Sequence, residues 1–415
     1  MKRGKEMKKN VIVAQSGGPT AVINATLAGI LNIARKSNKV DKVLGGEHGI
    51  EGILKENFFD LFAKFDTPEK INLLKHTPAA FLGSCRYKLP NDDEVFAKIF
   101  DIFKKNNVGY FIYIGGNDSM DTVDKLSKYA KKIKSDVCII GCPKTIDNDL
   151  AITDHTPGFG SAAKYVATSM REIILDSCVY DKPTLTIVEV MGRNAGWLTA
   201  ATALARWNKK DAPHLIYLPE LPFDVDKFLV DVKNAIDKHR NAVVAISEGI
   251  KTADGKYLCE FEKEVKVDAF GHKQMSGAAA SLADIVSQRM DVKIRTIEFS
   301  LLQRAAAHIA SKTDVRESRE LGEAGMKAGL DGQTGVMVYI KRVSNSPYEA
   351  KIEVTDVSKV ANAEVKVPRD WINKEGNDVN KKMIEYLLPL IQGESVPVYE
   401  NGLPVYQKRI GLIEK

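Results

Sequence analysis

Tyr110-Phe111-Ile112-Tyr113-Ile114-Gly115-Gly116-Asn117-Asp118-Ser119 sets five apolar, strand-favouring residues directly against two glycines, an amide, a carboxylate and a hydroxyl. The apolar run is long enough for one buried strand. The glycine pair reads as a turn, and the polar triplet as the start of a helix running to about Lys132. The same order recurs on either side. Residues 11–14 read as a strand, Ser16-Gly17-Gly18-Pro19-Thr20 as a turn, and residues 21–36 as a helix. Residues 137–140 form a third strand. Thr184–Val190 is a fourth, with Gly192 and Gly196 in the turn behind it, and Asn241–Ser247 a fifth. Strand, glycine turn and helix in repetition predict an α/β protein with mainly parallel sheets and helices on both faces. Ligands in such sheets sit at the carboxyl ends of the strands, where these turns lie.

A chain of 415 residues suggests two or three domains. The segment 153–160, with its Thr-Pro-Gly, divides one α/β lobe (8–152) from a second (153–330), between which the chain can cross back. The part after about Asp331 changes character. Strand-like stretches at 334–343 and 348–357 precede a charged, Asn-rich stretch and a tail with prolines, so 331–415 reads as a C-terminal extension. Hydrophobic residues at 44% and charged residues at 27% exclude a disordered or fibrous chain. The net charge of +6 suits anionic small molecules, but it is too diffuse to argue for nucleic acid. Five scattered cysteines give neither a disulfide framework nor a zinc spacing. With no apolar run of membrane length and too short a run behind the basic start for a secretory signal, the expectation is a soluble cytoplasmic protein.

Five turns carry candidate chemistry. Gly17 and Gly18 let backbone N–H groups approach an anion at a helix start. Asn117, Asp118 and Ser119 either cap a helix or offer oxygens to Mg²⁺, which binds through few protein oxygens plus substrate phosphates. Pro143-Lys144-Thr145-Ile146-Asp147-Asn148-Asp149 places a lysine beside two carboxylates. Phosphoryl transfer asks for this combination, a cation on the phosphate oxygens and a carboxylate to take the acceptor's proton. Met191-Gly192-Arg193 offers a bidentate phosphate holder, and Ser247-Glu248-Gly249 a carboxylate for sugar hydroxyls. Arg86, Arg295 and Arg304 are further candidate phosphate holders, though each taken singly reads as an ordinary surface arginine. Gly158-Phe159-Gly160-Ser161-Ala162-Ala163 matches a dinucleotide fingerprint, but Thr153-Asp154-His155-Thr156-Pro157 stands where a strand is required. The lone histidines, among them His214 and His272, have no catalytic context.

With these motifs in this order over about residues 10–320, the sequence resembles the phosphofructokinase family. Thr145-Ile146-Asp147-Asn148-Asp149 and Met191-Gly192-Arg193 together carry most of the likeness. The resemblance implies the phosphofructokinase fold, two Rossmann-like lobes, and Mg²⁺-dependent phosphoryl transfer to the 1-hydroxyl of fructose 6-phosphate. Members that use ATP have glycine where Asp118 and Lys144 stand here, which favours pyrophosphate as donor, with an ATP-dependent enzyme as the alternative and a non-catalytic sugar-phosphate sensor as a remoter one. Carried over, Asp147 is the base, supported by Asp149, and Lys144 stabilises the leaving phosphate. Gly18, Asp118 and Lys144 meet the donor, and Asn117 stands at the metal position. Thr145, Asp147, Met191, Gly192, Arg193, Glu248, Arg295 and Arg304 hold the sugar phosphate. Three departures stand out. Asn117 is neutral where a carboxylate is usual, which weakens metal binding or moves it to Asp118. Leu301 replaces a polar residue, and Thr184 replaces an arginine lent to a neighbouring subunit. The family also suggests a homodimer or homotetramer, and no membrane partner.

Overall fold

The computed structural model describes residues 7–179, 181–260 and 277–409, so His272 lies outside it. The strands of its two main sheets, in chain order, are β1 (Lys9–Gln15), β2 (Val40–Gly46), β3 (Phe58–Asp60), β4 (Val108–Gly115), β5 (Cys138–Pro143), β6 (Thr184–Val190), β7 (Leu215–Tyr217), β8 (Asn241–Ser247), β9 (Lys293–Glu298), β10 (Val336–Asn345) and β11 (Tyr348–Asp356). Among the described residues the first sheet runs β11-β10-β5-β4-β1-β2-β3, with antiparallel strands only at its two edges. The second, β7-β8-β6-β9, is parallel throughout.

The central strands are continuous apolar runs because both faces are covered. Val11, Val13, Ile112, Ile114 and Ile140 face one core, with helices Ile23–Lys36 and Lys312–Leu330. Ile12, Ala14, Phe111, Tyr113 and Ile139 face another, with helices Asp93–Lys105 and Asn117–Lys132. In the first sheet β1 lies between β2 and β4, so the chain leaves it to opposite sides. That reversal opens a crevice at the carboxyl ends of β1 and β4. Both glycine turns border it.

The chain after residue 311 belongs to both lobes. Helix Lys312–Leu330 packs on helix Ile23–Lys36 so closely that a Cβ on Gly29 would lie 2.0 Å from the Arg319 carbonyl. One on Gly322 would lie 2.0 Å from that of Thr26. The buried flank of β5 is completed by β10, paired in parallel through Val336 and Met337. Helix Lys381–Leu387 buries Met383, Tyr386 and Leu387 in the core of the second lobe. The described part of the segment read as an extension, 331–409, is therefore woven into the first sheet and the second core, because β5 needs a neighbour that residues 8–152 do not supply. Among the described residues no helix is long and apolar enough to cross a membrane.

Candidate active site

A cavity of about 510 Å³ lies where the turns after β1, β4, β5, β6 and β8 converge. Its donor-facing side is glycine. Gly17 has φ of 76°, a left-handed conformation that favours glycine, and a Cβ there would come 3.2 Å from Lys144 Nζ. A Cβ on Gly18 would meet an Arg304 guanidinium nitrogen at 3.2 Å. Gly116 opens helix Asn117–Lys132 with no side-chain cap, leaving that helix start facing the cavity with Asp118 in its first turn.

Lys144 follows β5 directly and is only 1% exposed. Its ammonium donates to the Gly18 carbonyl at 2.6 Å, tying the β5 turn to the β1 turn across β4. Burial pushes its pKa down to about 8, with Arg304 adding to the fall and Asp147 resisting it. Thr145 fixes the next step, its hydroxyl accepting from the Asp147 N–H at 3.1 Å. Burial raises the pKa of Asp147, while Arg193, Lys144 and Arg304 pull it back. Asp149 is pushed up to about 7 by burial and by the negative charge of Asp147 and Glu364. Between them Asn148, at φ 57°, turns away from the cavity. It donates to the Tyr386 hydroxyl at 2.8 Å and accepts from the Thr156 N–H at 3.0 Å. The loop is thus anchored on its rear side, and its carboxylates face forward.

Across the cavity, Arg193 reaches in with a buried Nε that has no hydrogen-bond partner among the described residues. Glu248 accepts from the Gly192 N–H at 3.3 Å, and burial together with Asp147 pushes its pKa up to about 8. Gly192, with φ of 143°, sits against the Ala195 carbonyl, where a Cβ would come within 2.5 Å. The Met191 N–H is held by buried Gln303 at 3.2 Å, a contact the motifs do not announce. Arg304 is half-buried beside Arg86, and burial and that like charge lower its pKa.

Two expectations move. Arg295 is on edge strand β9, 3.7 Å from Asp176 and outside the cavity lining, because its register opposite Thr186 places it well before the carboxyl end of β6. Asn117 borders the cavity, but its carboxamide is engaged at both ends. Oδ1 accepts from the Asn362 N–H at 2.8 Å, and Nδ2 donates to the Ala363 carbonyl at 3.0 Å. It latches a C-terminal segment, while its neighbour Asp118 brings a carboxylate to the cavity wall. That segment also brings Glu364 and Asn362 into the lining, and neither has a local sequence signal. Leu301 is exposed and outside the lining, and Thr184 is buried at the start of β6 against Asn241. The fingerprint-like Gly158–Ala163 segment starts a helix whose Gly158 and Ser161 N–H groups both donate to Asp314, so its anion position is filled from within.

Among the described residues no group of three His, Cys, Asp or Glu side chains could hold a metal ion. Asp118 and Glu364, both on the cavity wall, are the hard oxygen donors that suit a Mg²⁺ shared with a phosphate-bearing ligand. The whole arrangement can bind two anionic groups, remove a proton between them and neutralise a leaving group.

Residues 10–297 match the family described as Phosphofructokinase. The chain is 42% identical over 405 residues, 96% of each chain, to a pyrophosphate–fructose 6-phosphate 1-phosphotransferase of Halomonas elongata. It is 43% identical over 403 residues, 96% of this chain and 95% of the other, to the protein of that name from Xanthomonas campestris pv. campestris. The crystal structure of a pyrophosphate-dependent phosphofructokinase from Nitrosospira multiformis superposes with a TM-score of 0.87 at 39% identity, covering 96% of both chains.

Proposed function

Because the chain belongs to the phosphofructokinase family, we propose that it moves a phosphoryl group reversibly from pyrophosphate to the 1-hydroxyl of fructose 6-phosphate. The products are fructose 1,6-bisphosphate and phosphate. The observation that carries the choice of donor is the position of Lys144. Its ammonium lies against Gly18 on the cavity floor, in space that a glycine would leave open. With Asp118 it occupies the room next to the second phosphate of a donor, where a nucleotide would continue into its α-phosphate.

Each residue then has a task. Backbone N–H groups at Gly17, Gly18 and the start of helix Asn117–Lys132 receive the diphosphate. Arg193 and Arg304 hold the sugar phosphate, and Arg193's buried, partnerless Nε is ready for it. Glu248 carries a proton below about pH 8 and can both donate to and accept from sugar hydroxyls. Asp147 takes the proton from the 1-hydroxyl as the new O–P bond forms and the bond to the bridging oxygen breaks. Lys144, protonated below about pH 8, neutralises the departing phosphate. A bound Mg²⁺, held by Asp118 and Glu364 with phosphate oxygens, would withdraw charge from the diphosphate. The free-energy difference between the diphosphate bond broken and the sugar phosphate ester formed is small, so the reaction is expected to run both ways. A homo-oligomer suits Arg295, which an open sheet edge carries away from its own cavity.

The test offers pyrophosphate and ATP together at matched concentrations and follows phosphate and ADP. Phosphate formation with little ADP is expected. Dominant ADP formation would make the chain an ATP-dependent kinase.

A further inference from the structure

A second cavity, of about 480 Å³, lies beyond the donor side of the first, and Asn362 is the only residue common to the two linings among the described residues. Its position is fixed from several sides. The Asn362 N–H donates to Asn117, and its side-chain Nδ2 donates to Asp121 Oδ1 at 3.1 Å, one turn along the same helix. Downstream, the Val365 N–H donates to the Asp149 carbonyl at 2.7 Å, and the Val365 carbonyl accepts from Trp197 Nε1 at 3.1 Å. The residue therefore stands in a segment tied to the donor helix, the carboxylate loop and the second lobe. It is a fixed wall between the cavities.

We propose that Asn362, held in place by Asn117 and Asp121, sets the length of the phosphoryl donor by closing the first cavity behind a diphosphate. The inference rests on the pyrophosphate reading above and adds a determinant distinct from Asp118 and Lys144. The cavity behind the wall could accept a longer polyanion once opened. Its lysines Lys125 and Lys128 are paired with Asp121 and Asp124 at 2.6 Å, and Lys132 is paired with Asp93. A third phosphate would face Lys125, Lys128 and Lys132 there, each of which would exchange its aspartate for it. With the wall intact it meets the Asn362 carboxamide instead, already committed to Asp121.

The test uses Asn362→Gly. At φ 62° glycine accepts the backbone without strain, so only the side chain is lost. Pyrophosphate is the donor and inorganic tripolyphosphate the probe, both read in the full-length enzyme. The quantity compared is the inhibition constant of tripolyphosphate divided by the KM for pyrophosphate. That ratio is expected to fall at least about tenfold in the variant. Asn362→Ala, which shortens the same side chain and leaves the Lys125–Asp121 pair intact, is expected to lower it in the same direction, and it decides the matter if Asn362→Gly does not fold. An unchanged ratio in a folded variant overturns the role of Asn362. A wild-type enzyme that makes no fructose 1,6-bisphosphate from pyrophosphate overturns the underlying function instead, so the two failures are told apart.

Discussion

Two regions of this molecule bury ionisable groups, and they treat them in opposite ways. In the cleft, burial drives Asp149 up to about 7, Glu248 up to about 8 and Lys144 down to about 8, each toward losing its charge. Between the lobes, His155 lies between Asp154 at 2.8 Å and Glu317 at 2.7 Å. Arg342 pairs with Asp154, and Tyr348 donates to Glu317. There burial opposes the charges, but the partners outweigh it. His155 rises to about 9, and Asp154 and Glu317 fall below the usual carboxylate range. The inter-lobe network is complete in itself. In the cleft the neighbouring charges offset burial only in part, and the cations Lys144, Arg193 and Arg304 face the cavity. Unsatisfied buried charge marks the working site, and satisfied buried charge marks the frame.

This contrast can be broken at several points. The largest effect belongs to Asp147. Asp147→Ser should lower kcat by about 10²–10⁴ while the KM for fructose 6-phosphate changes little. Turnover close to wild type would take the base away from this residue. Removing the middle of the inter-lobe network should cost stability instead of chemistry. His155→Ala leaves two buried carboxylates with one cation fewer, a loss of about 3–5 kcal/mol by denaturant unfolding. Its pH dependence has a definite sign. Because the folded pKa is raised from 6.5 to about 9, the contribution of His155 is fully present below about pH 6.5 and disappears as pH rises through 9. Wild-type stability that stays flat from pH 7 to 10 would contradict the pairing.

A sharper probe swaps the donor. Asp118→Gly with Lys144→Gly should admit ATP at the expense of pyrophosphate, moving the kcat/KM ratio toward ATP by about tenfold or more. An unmoved ratio would refute the steric account. The smallest effect is a pH limb. Lys144 loses its proton as pH rises through about 8, so the forward rate should decline about tenfold per unit above that point. Lys144→Arg, which keeps its charge, should shift that decline to higher pH, and a decline left at pH 8 would assign it to another group.

The sequence made much of this visible, for a local reason. β1, β4, β5, β6 and β8 are apolar runs ending in glycine or a polar turn, and those turns are the cavity. β2 is harder to see, because Asp41 and Lys42 interrupt it, and β9, Lys293–Glu298, carries alternating charges at a sheet edge. Arg295 and Arg304 both read as candidate phosphate holders. However, one lies within a strand beside Asp176 and the other beyond that strand's end at the cavity. The wall at Asn362 and the carboxylate of Glu364 had no local pattern to read. Their partners lie far back in the chain, 245 residues in the case of Asn117, inside a charged stretch that looks like any solvated loop.

The most direct measurement is fructose 1,6-bisphosphate formation with pyrophosphate and with ATP, each with and without Mg²⁺. Product from pyrophosphate in the presence of Mg²⁺, with the other three mixtures near background, is the expected pattern. An ammonium and a carboxylate beside the donor's second phosphate cannot coexist with efficient use of a nucleotide, so brisk turnover with ATP would contradict the account at its root.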